Sequence, residues 1–547
     1  MSYLNLISLI GIFGLCGVAW LFSENRGVIP WRVIIGGIGL QLLLGLFVFQ
    51  VPGTRDALNL FSGLLDGVFT AADAGARFVF GNNIVPLPGR DPFVAVPATN
   101  GVCPPPQVPF FEGYCGTRLG YMLAFRALPA VIFFSALMSL LYNLGVIQKI
   151  TDVLAKIFYR TMGLSGAESL SGAANIFVGI EAAIAVKPYI AKMTRSEICA
   201  ILACCFGTAA SSTLAIYVSF LRPVFPNILG HLVSASIISI PACFVLSKIL
   251  VPETEMPLTA GGIPVEEIED KPLVAEDEAP RETVGGEPIE RVSPMDAAII
   301  GALDGVKMAV SIAAVLILIV GLVSLINQIF GGLASLKTSP VFLLQWVGQF
   351  FSVVTLQNIE GALFYPVTLL TGVPADPSRL GNCLLSIFDG NRLCVPDESW
   401  QAAVIIGRRL TETAIPPYQS LAEAAKAGLI SDRTVLIVSY ALSGFAHIAS
   451  VGIFVGGTIA LAPSRRKDIS ELGWKALFIG TLATLMISCV AGFYDNGAPG
   501  ILGEKTPPPA VAPAPSPATP PAPPTGSPAS GASPGAVPLA TPSPSPR

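Results

Sequence analysis

Two short stretches of this chain combine residue types that can do chemistry inside an apolar setting. Residues 168–189 read ESLSGAANIFVGIEAAIAVKPY, small and apolar except for Asn175, Gly179 and Glu181 near the middle. A carboxylate at membrane depth costs ~2.5 kcal/mol or more and marks a substrate or ion pathway. Gly179-Ile180-Glu181 divides the run into halves of about 11 residues, each shorter than the ~20 needed to cross a bilayer. Two half-helices around a polar break form a re-entrant hairpin, because free backbone ends are tolerated at that depth only where they line a cavity. The competing reading is one ordinary helix with a buried, paired Glu.

The second stretch repeats the first. Glu181-Ala-Ala-Ile with Pro188-Tyr189 behind it is echoed by Glu412-Thr-Ala-Ile with Pro417-Tyr418 behind it. Each unit is followed by a helix rich in small residues and then one more helix. Opened from opposite sides of a membrane, the two units are an inverted repeat, with a Glu at each tip and a site expected between them. Arg408 stands four residues before Glu412, on the same helical face, and competes with a ligand for that carboxylate. His447, in SGFAHIASVGIFVGG, reads equally as a packed core histidine or as a ligand contact, because its small neighbours allow close helix approach.

The elements that must position these residues follow from composition. Of 547 residues, 52% are hydrophobic and 12% charged, against about 25% charged in soluble domains. This predicts an all-α polytopic membrane protein. Apolar spans fall at 3–22, 32–51, 122–146, 197–220, 228–251, 298–326, 434–461 and 473–494, giving eight transmembrane helices plus two re-entrant hairpins. The second hairpin is expected within 398–420. Residues 340–373, aromatic and interrupted, read as a helix on the outer surface. The N-terminal apolar run has no basic residue before it and is expected to be the first span rather than a signal peptide. No basic run suggests nucleic acid.

Basic residues cluster after the first span (Arg26, Arg32), after the third (Lys149, Lys156, Arg160), behind the first hairpin (Lys187, Lys192, Arg195) and between the last two spans (Arg465, Arg466, Lys467, Lys475). With eight spans these clusters share one side, the cytoplasm, and place both termini in the periplasm. Of ten cysteines, Cys103 with Cys115 and Cys383 with Cys394 then fall in outer loops, where each pair is expected to bond. Residues 252–291, with twelve acidic residues against three basic ones, read as a mobile cytoplasmic linker. The Pro-, Ala- and Ser-rich tail reads as disordered. The expected organisation is scaffold helices with a periplasmic insert (1–165), a first hairpin with two helices (166–251), the linker (252–292), a scaffold helix and outer-surface helix (293–397), a second hairpin with two helices (398–495) and the tail (496–547).

Four segments carry a resemblance to the concentrative nucleoside transporter family: FRALPAVIFFSAL (125–137), ESLSGAANIFVG (168–179), KPYIAKMTRSE (187–197) and LAPSRRKDI (461–469). The similarity covers most of residues 1–495. It implies a homotrimer that imports nucleosides, driven by sodium or, in some members, protons. The family's sodium site looks like Asn175, Val178, Thr208 and Ala209 here, an amide oxygen, a hydroxyl and backbone carbonyls suited to a hard cation. The implied substrate contacts are Gly179, Glu181, Thr213, Glu412, Thr413, Phe445, His447 and Ser450. Three positions depart from the family. Its Gly-Gln-Thr-Glu tip is Gly179-Ile180-Glu181 here, its Asn-Glu-Phe is Thr413-Ala414-Ile415, and its Phe-x-Asn-x-x-Ser is Phe445-x-His447-x-x-Ser450.

These observations together predict a sodium-coupled nucleoside symporter of a bacterial inner membrane, in contact with membrane lipid and not an enzyme. The alternatives are a proton-coupled symporter, in which Glu181, Glu412 or His447 titrates, and a non-transporting membrane sensor on the same fold. An intramembrane enzyme has little support, since the chain contains no HExxH and no Cys/His cluster.

Overall fold

The structure is a computed structural model that describes residues 2–51, 63, 67–68, 70–86, 93–97, 108–111, 114–118, 122–177, 179, 182, 186–209, 211–260, 282–284, 287–289, 293–375, 397–497 and 501–503. Apolar helices dominate it. Among the described residues, six are long and apolar enough to cross a membrane: α1 (Tyr3–Leu21), α2 (Trp31–Gln50), α3 (Leu123–Asn143), α9 (Ile228–Leu250), α10 (Pro294–Ser335) and α17 (Arg466–Tyr494). The fold is all-α and polytopic, with two hairpins in an inverted repeat.

Two spans expected to be continuous are broken. The 197–220 span is α7 (Arg195–Gly207) and α8 (Ser211–Leu221), and the 434–461 span is α15 (Asp432–Ala441) and α16 (Ile448–Leu461). Averaged hydropathy passes over such breaks because Thr208, Ala209, Ser443 and Gly444 are small and only weakly polar. The 340–373 segment is also two helices, α11 (Phe342–Val353) and α12 (Leu356–Leu370), bent by 53°. The basic stretch behind α3 is itself a helix, α4 (Val146–Met162). Its Val146, Ile150, Val153 and Ile157 are exposed at helical spacing, the pattern of a helix lying along a membrane surface.

The hairpins are α5 (Gly166–Ala174) with the short α6 (Lys187–Ile190), and α13 (Glu398–Glu412) with α14 (Ile415–Lys426). A carboxylate ties the entry of each first arm to the entry of the following helix. In the first unit Ser165 and Thr194 are N-caps with full capping boxes, and Ser165 Oγ donates to Glu197 Oε1 at 2.6 Å. In the second, Glu398 Oε1 accepts from the backbone N–H of the N-cap Ser431 at 2.6 Å and from its hydroxyl at 2.5 Å. The first entry is also neutralised from α9, where the buried Lys248 Nζ lies 2.5 Å from Glu168 Oε1 and 3.0 Å from Glu253 Oε2.

The core surrounds α9 and α17, which are buried along most of their length, while α10 packs on α3 and exposes much of its remaining surface. Lipid tails are as apolar as these side chains, so close helix approach rather than water exclusion must hold the bundle. Glycines supply it at the centre: a Cβ on Gly444 would lie 2.8 Å from the Phe206 carbonyl.

Short strands are present in the insert, β1 (Phe93–Pro97), β2 (Val108–Phe111) and β3 (Tyr114–Arg118), ordered β1-β3-β2 and antiparallel. The linker contains one small ladder, β4 (Glu282–Val284) with β5 (Glu287–Ile289). Cys103, Cys383 and Cys394, linker residues 261–281, 285–286 and 290–292, and tail residues 498–500 and 504–547 lie outside the described residues.

Candidate functional site

The two broken helices meet at their breaks. The N–H of Phe445, between α15 and α16, donates to the carbonyl of Thr208, between α7 and α8, at 3.3 Å. A helix break leaves N–H and C=O groups without intrahelical partners, and here each break satisfies part of the other. Four of the residues singled out from sequence lie in these breaks: Thr208 and Ala209 in the first, Phe445 and His447 in the second.

Asn175 is the C-cap of α5 and fully buried. Its Nδ2 donates to the Ser171 carbonyl at 3.1 Å, which leaves Oδ1 buried without a partner. Thr208 caps the end of α7, and its hydroxyl donates to the Cys204 carbonyl at 2.8 Å. Ala209 beside it is fully buried. A neutral amide oxygen left unpaired near the carbonyl end of a helix suits a small hard cation. Val178 lies outside the described residues, as does Glu181; Gly179 is half-buried in the turn between them.

Glu412 ends α13 and is buried. Arg408 Nη2 and Nε both reach its Oε2, at 2.7 and 2.9 Å, so the pairing expected from their spacing is formed. Oε1 takes neither bond. Arg408 Nη1 also donates to Ser420 Oγ on the other arm at 2.8 Å.

Thr413 follows with φ 72° and ψ −178°. It is the one non-glycine residue with positive φ among the described residues. That region belongs almost wholly to glycine and costs about 1–3 kcal/mol, strain typical of ligand clamps and switches. Its buried hydroxyl has no partner.

Beyond the crossing, His447 is the N-cap of α16, and its Nδ1 accepts the Ser450 N–H at 3.2 Å. Nδ1 is therefore an acceptor, which puts the ring proton on Nε2, and the Ser450 hydroxyl lies 3.0 Å from that nitrogen. The Phe445 ring stands edge-on to His447, centroids 6.2 Å apart. Thr213 is buried in the first turn of α8. One turn later Tyr217 stacks on Tyr418 of the second hairpin at 4.5 Å.

Sequence reasoning missed two buried charges here. Glu360 on α12 accepts from Thr411 Oγ1 at 2.5 Å and keeps Oε2 unpartnered. Arg409, 1% exposed, lies next to Arg408 yet meets different partners, the Ala441 carbonyl and the Thr484 hydroxyl. A basic pair inside an otherwise apolar run was the available signal.

Comparison with known proteins agrees with this geometry. Residues 231–492 match the family described as Na+ dependent nucleoside transporter C-terminus, residues 10–83 its N-terminus, and residues 124–224 a family described as nucleoside recognition. An uncharacterised transporter of Haemophilus influenzae is 31% identical, over 90% of this chain and 98% of its own. The nucleoside permease NupC of Helicobacter pylori is 27% identical over 90% and 99%. Human solute carrier family 28 member 3 is 29% identical over 90% of this chain and 60% of the carrier. The solved inward-facing, substrate-bound structure of CNTnw superimposes with a TM-score of 0.68 at 31% identity, covering 90% of this chain and 98% of that one. With hairpins, broken helices and family matches in agreement over most of its length, the chain belongs to the concentrative nucleoside transporter family, whose members are transporters rather than enzymes.

Proposed function

We propose that this protein is a sodium-coupled symporter that imports nucleosides across a bacterial inner membrane by alternating access. The observation that carries the reading is the orphaned Asn175 Oδ1, buried at the end of α5 in the unit whose broken helix ends at Thr208. Sodium would take that oxygen together with Val178, Thr208 and Ala209, and neutralise the carbonyl end of α7. Filling the site would fix the first hairpin tip, which carries Gly179 and Glu181. Glu412 would accept a ribose hydroxyl, where its charge strengthens the bond. Thr213, Thr413, Phe445, His447 and Ser450 would line the remainder, with the Phe445 ring offering a face to the base.

In this reading α3 and α10 belong to a scaffold that trimerises, and the units 166–251 and 398–495 move across it. Both termini are periplasmic. Uptake of labelled nucleosides into proteoliposomes, with and without a sodium gradient, tests the proposal. Sodium-independent uptake overturns the coupling, and no uptake of any nucleoside overturns the substrate.

One observation favours proton coupling as the second reading. Glu360, buried with one oxygen unpartnered and bonded to the residue before Glu412, is a carboxyl placed to carry a proton. Uptake driven by a pH gradient alone would select it.

A further inference from the structure

Arg409 is a buried cation whose charge no carboxylate answers among the described residues. Its Nη1 donates to the carbonyl of Ala441 and to Thr484 Oγ1, the latter at 2.8 Å, while Nε and Nη2 have no partner. Burying a guanidinium is expensive unless something replaces the lost water. Here the replacements are neutral oxygens: a main-chain carbonyl, a hydroxyl and the negative end of the α15 dipole. That is the environment of an alkali-cation site rather than of an ion pair.

Its place in the repeat says which site. In the first unit, Asn175 belongs to the hairpin arm and Thr208 ends the broken helix that follows. In the second, Arg409 lies on the hairpin arm and Ala441 ends the broken helix that follows. Counted back from the hairpin glutamates, Arg409 falls where Val178 does, each three residues before its Glu.

The end of α15 shows what the guanidinium completes. Its last four carbonyls are those of Val438, Ser439, Tyr440 and Ala441, the groups a helix leaves open. Val438 accepts from Leu442 N–H at 2.9 Å, Ser439 from Tyr418 Oη at 2.8 Å, and Tyr440 from Ser443 Oγ at 2.8 Å. Arg409 takes the fourth. Both arms of the second hairpin therefore grip α15, Arg409 from α13 and Tyr418 from α14. The first hairpin instead presents an unfilled oxygen to its half of the fold.

We propose that Arg409 is a tethered cation: its guanidinium permanently holds, in the second unit, the place that the coupling ion takes in the first. The inference rests on the sodium reading above and deepens it. One unit is switched by an ion that comes and goes; the other is locked by one that cannot leave. The chain then couples one sodium to each nucleoside. Removal of the guanidinium exposes the Ala441 carbonyl and the Thr484 hydroxyl to a second small cation. Arg409 acts on the substrate through the hairpin and is a positioning residue.

The test uses the full chain in proteoliposomes. In the wild type, the reversal potential of coupled uptake gives the charge moved per nucleoside, expected to be one. Sodium-independent wild-type uptake overturns the coupling reading itself. Sodium-dependent uptake with two charges per nucleoside leaves that reading intact and overturns this inference alone. Arg409→Met keeps the length of the side chain without the charge. It should lower uptake by roughly tenfold or more, the effect of losing a charged hydrogen-bonding group. Uptake should recover in millimolar guanidinium or at high sodium, with a sodium dependence steeper than that of the wild type. Arg409→Lys should stay within a few-fold of wild type and keep the wild-type sodium dependence. Arg409→Met with wild-type uptake and an unchanged sodium curve overturns the proposal. So does an Arg409→Met defect that neither guanidinium nor sodium relieves. If Arg409→Met does not accumulate in the membrane, the wild-type charge measurement still decides.

Discussion

Phe445 and Thr208 come from opposite halves of the chain and are joined by a main-chain hydrogen bond of 3.3 Å. Each lies in the break of a helix that hydropathy reads as continuous. The bond fixes the two breaks face to face, and Gly444 makes the approach possible, because a side chain there would strike the carbonyls of Phe206 and Gly207. Gly444→Ala should therefore separate the breaks, at an overpacking cost of about 1–3 kcal/mol. Nucleoside uptake should fall by roughly tenfold. Gly456→Ala, at a glycine with open space around it, should transport as wild type. Equal uptake by the two variants would remove the crossing from the mechanism.

The glutamates give the second prediction. Glu412→Gln and Glu181→Gln keep shape but remove charge, and each should cost about 1.5–3 kcal/mol of substrate binding, ten- to over a hundredfold in affinity. Arg408 already holds Glu412 Oε2, so Glu412→Gln also frees Arg408, and Arg408→Ala should reproduce part of its effect. Isothermal titration with nucleoside on the purified variants reads all three. Full binding by both Gln variants would show that the carboxylates are not the substrate's partners.

Asn175→Ala removes the unpartnered amide oxygen together with the Nδ2 bond to the Ser171 carbonyl. Stability should fall by only about 1 kcal/mol, the worth of that one bond, while half-saturating sodium should rise about tenfold or more, the worth of one ion–dipole contact. Sodium titration of uptake beside a thermal melt of the same sample separates the two effects. An unchanged sodium curve takes Asn175 out of the ion site.

Thr413 holds a backbone conformation suited to glycine. Thr413→Gly should release about 1–3 kcal/mol of strain and raise the midpoint of thermal unfolding. Thr413→Ala, which also loses the hydroxyl but keeps a Cβ, should not. If the strain poises the second hairpin tip, the Gly variant transports more slowly despite melting higher. Identical melting of the Gly and Ala variants would mean that Thr413 stores no strain.

Lys248 neutralises the buried entrance of the first hairpin. Lys248→Met leaves Glu168 buried and unpaired, a loss of about 3–5 kcal/mol. The protein should melt far lower or fail to accumulate. Adding Glu168→Gln removes the stranded charge and should restore much of the loss. Additive destabilisation in the double variant would break the argument.

The sequence by itself determined the apolar segments and the two hairpins, because hydropathy and the cost of a carboxylate in lipid act along the chain. It also determined the Arg408–Glu412 pair, since i,i+4 spacing on a helix needs no tertiary partner. It could not place the breaks at 208–209 and 442–447. Averaged hydropathy passes over them, because Thr208, Ala209, Ser443 and Gly444 are small and only weakly polar, and what stabilises each break comes from elsewhere: the Phe445 N–H on Thr208, the Arg409 guanidinium on Ala441, the Tyr418 hydroxyl on Ser439. The basic pair inside an apolar run marked Arg409, but its burial and partners were decided elsewhere in the same way. Beside Arg408 it looks like a second surface charge, and only the path of α15 across α13 turns it into a buried cation held by neutral oxygens. Local patterns set which segments enter the membrane; the packing of one half against the other decided where helices open and which charges are enclosed.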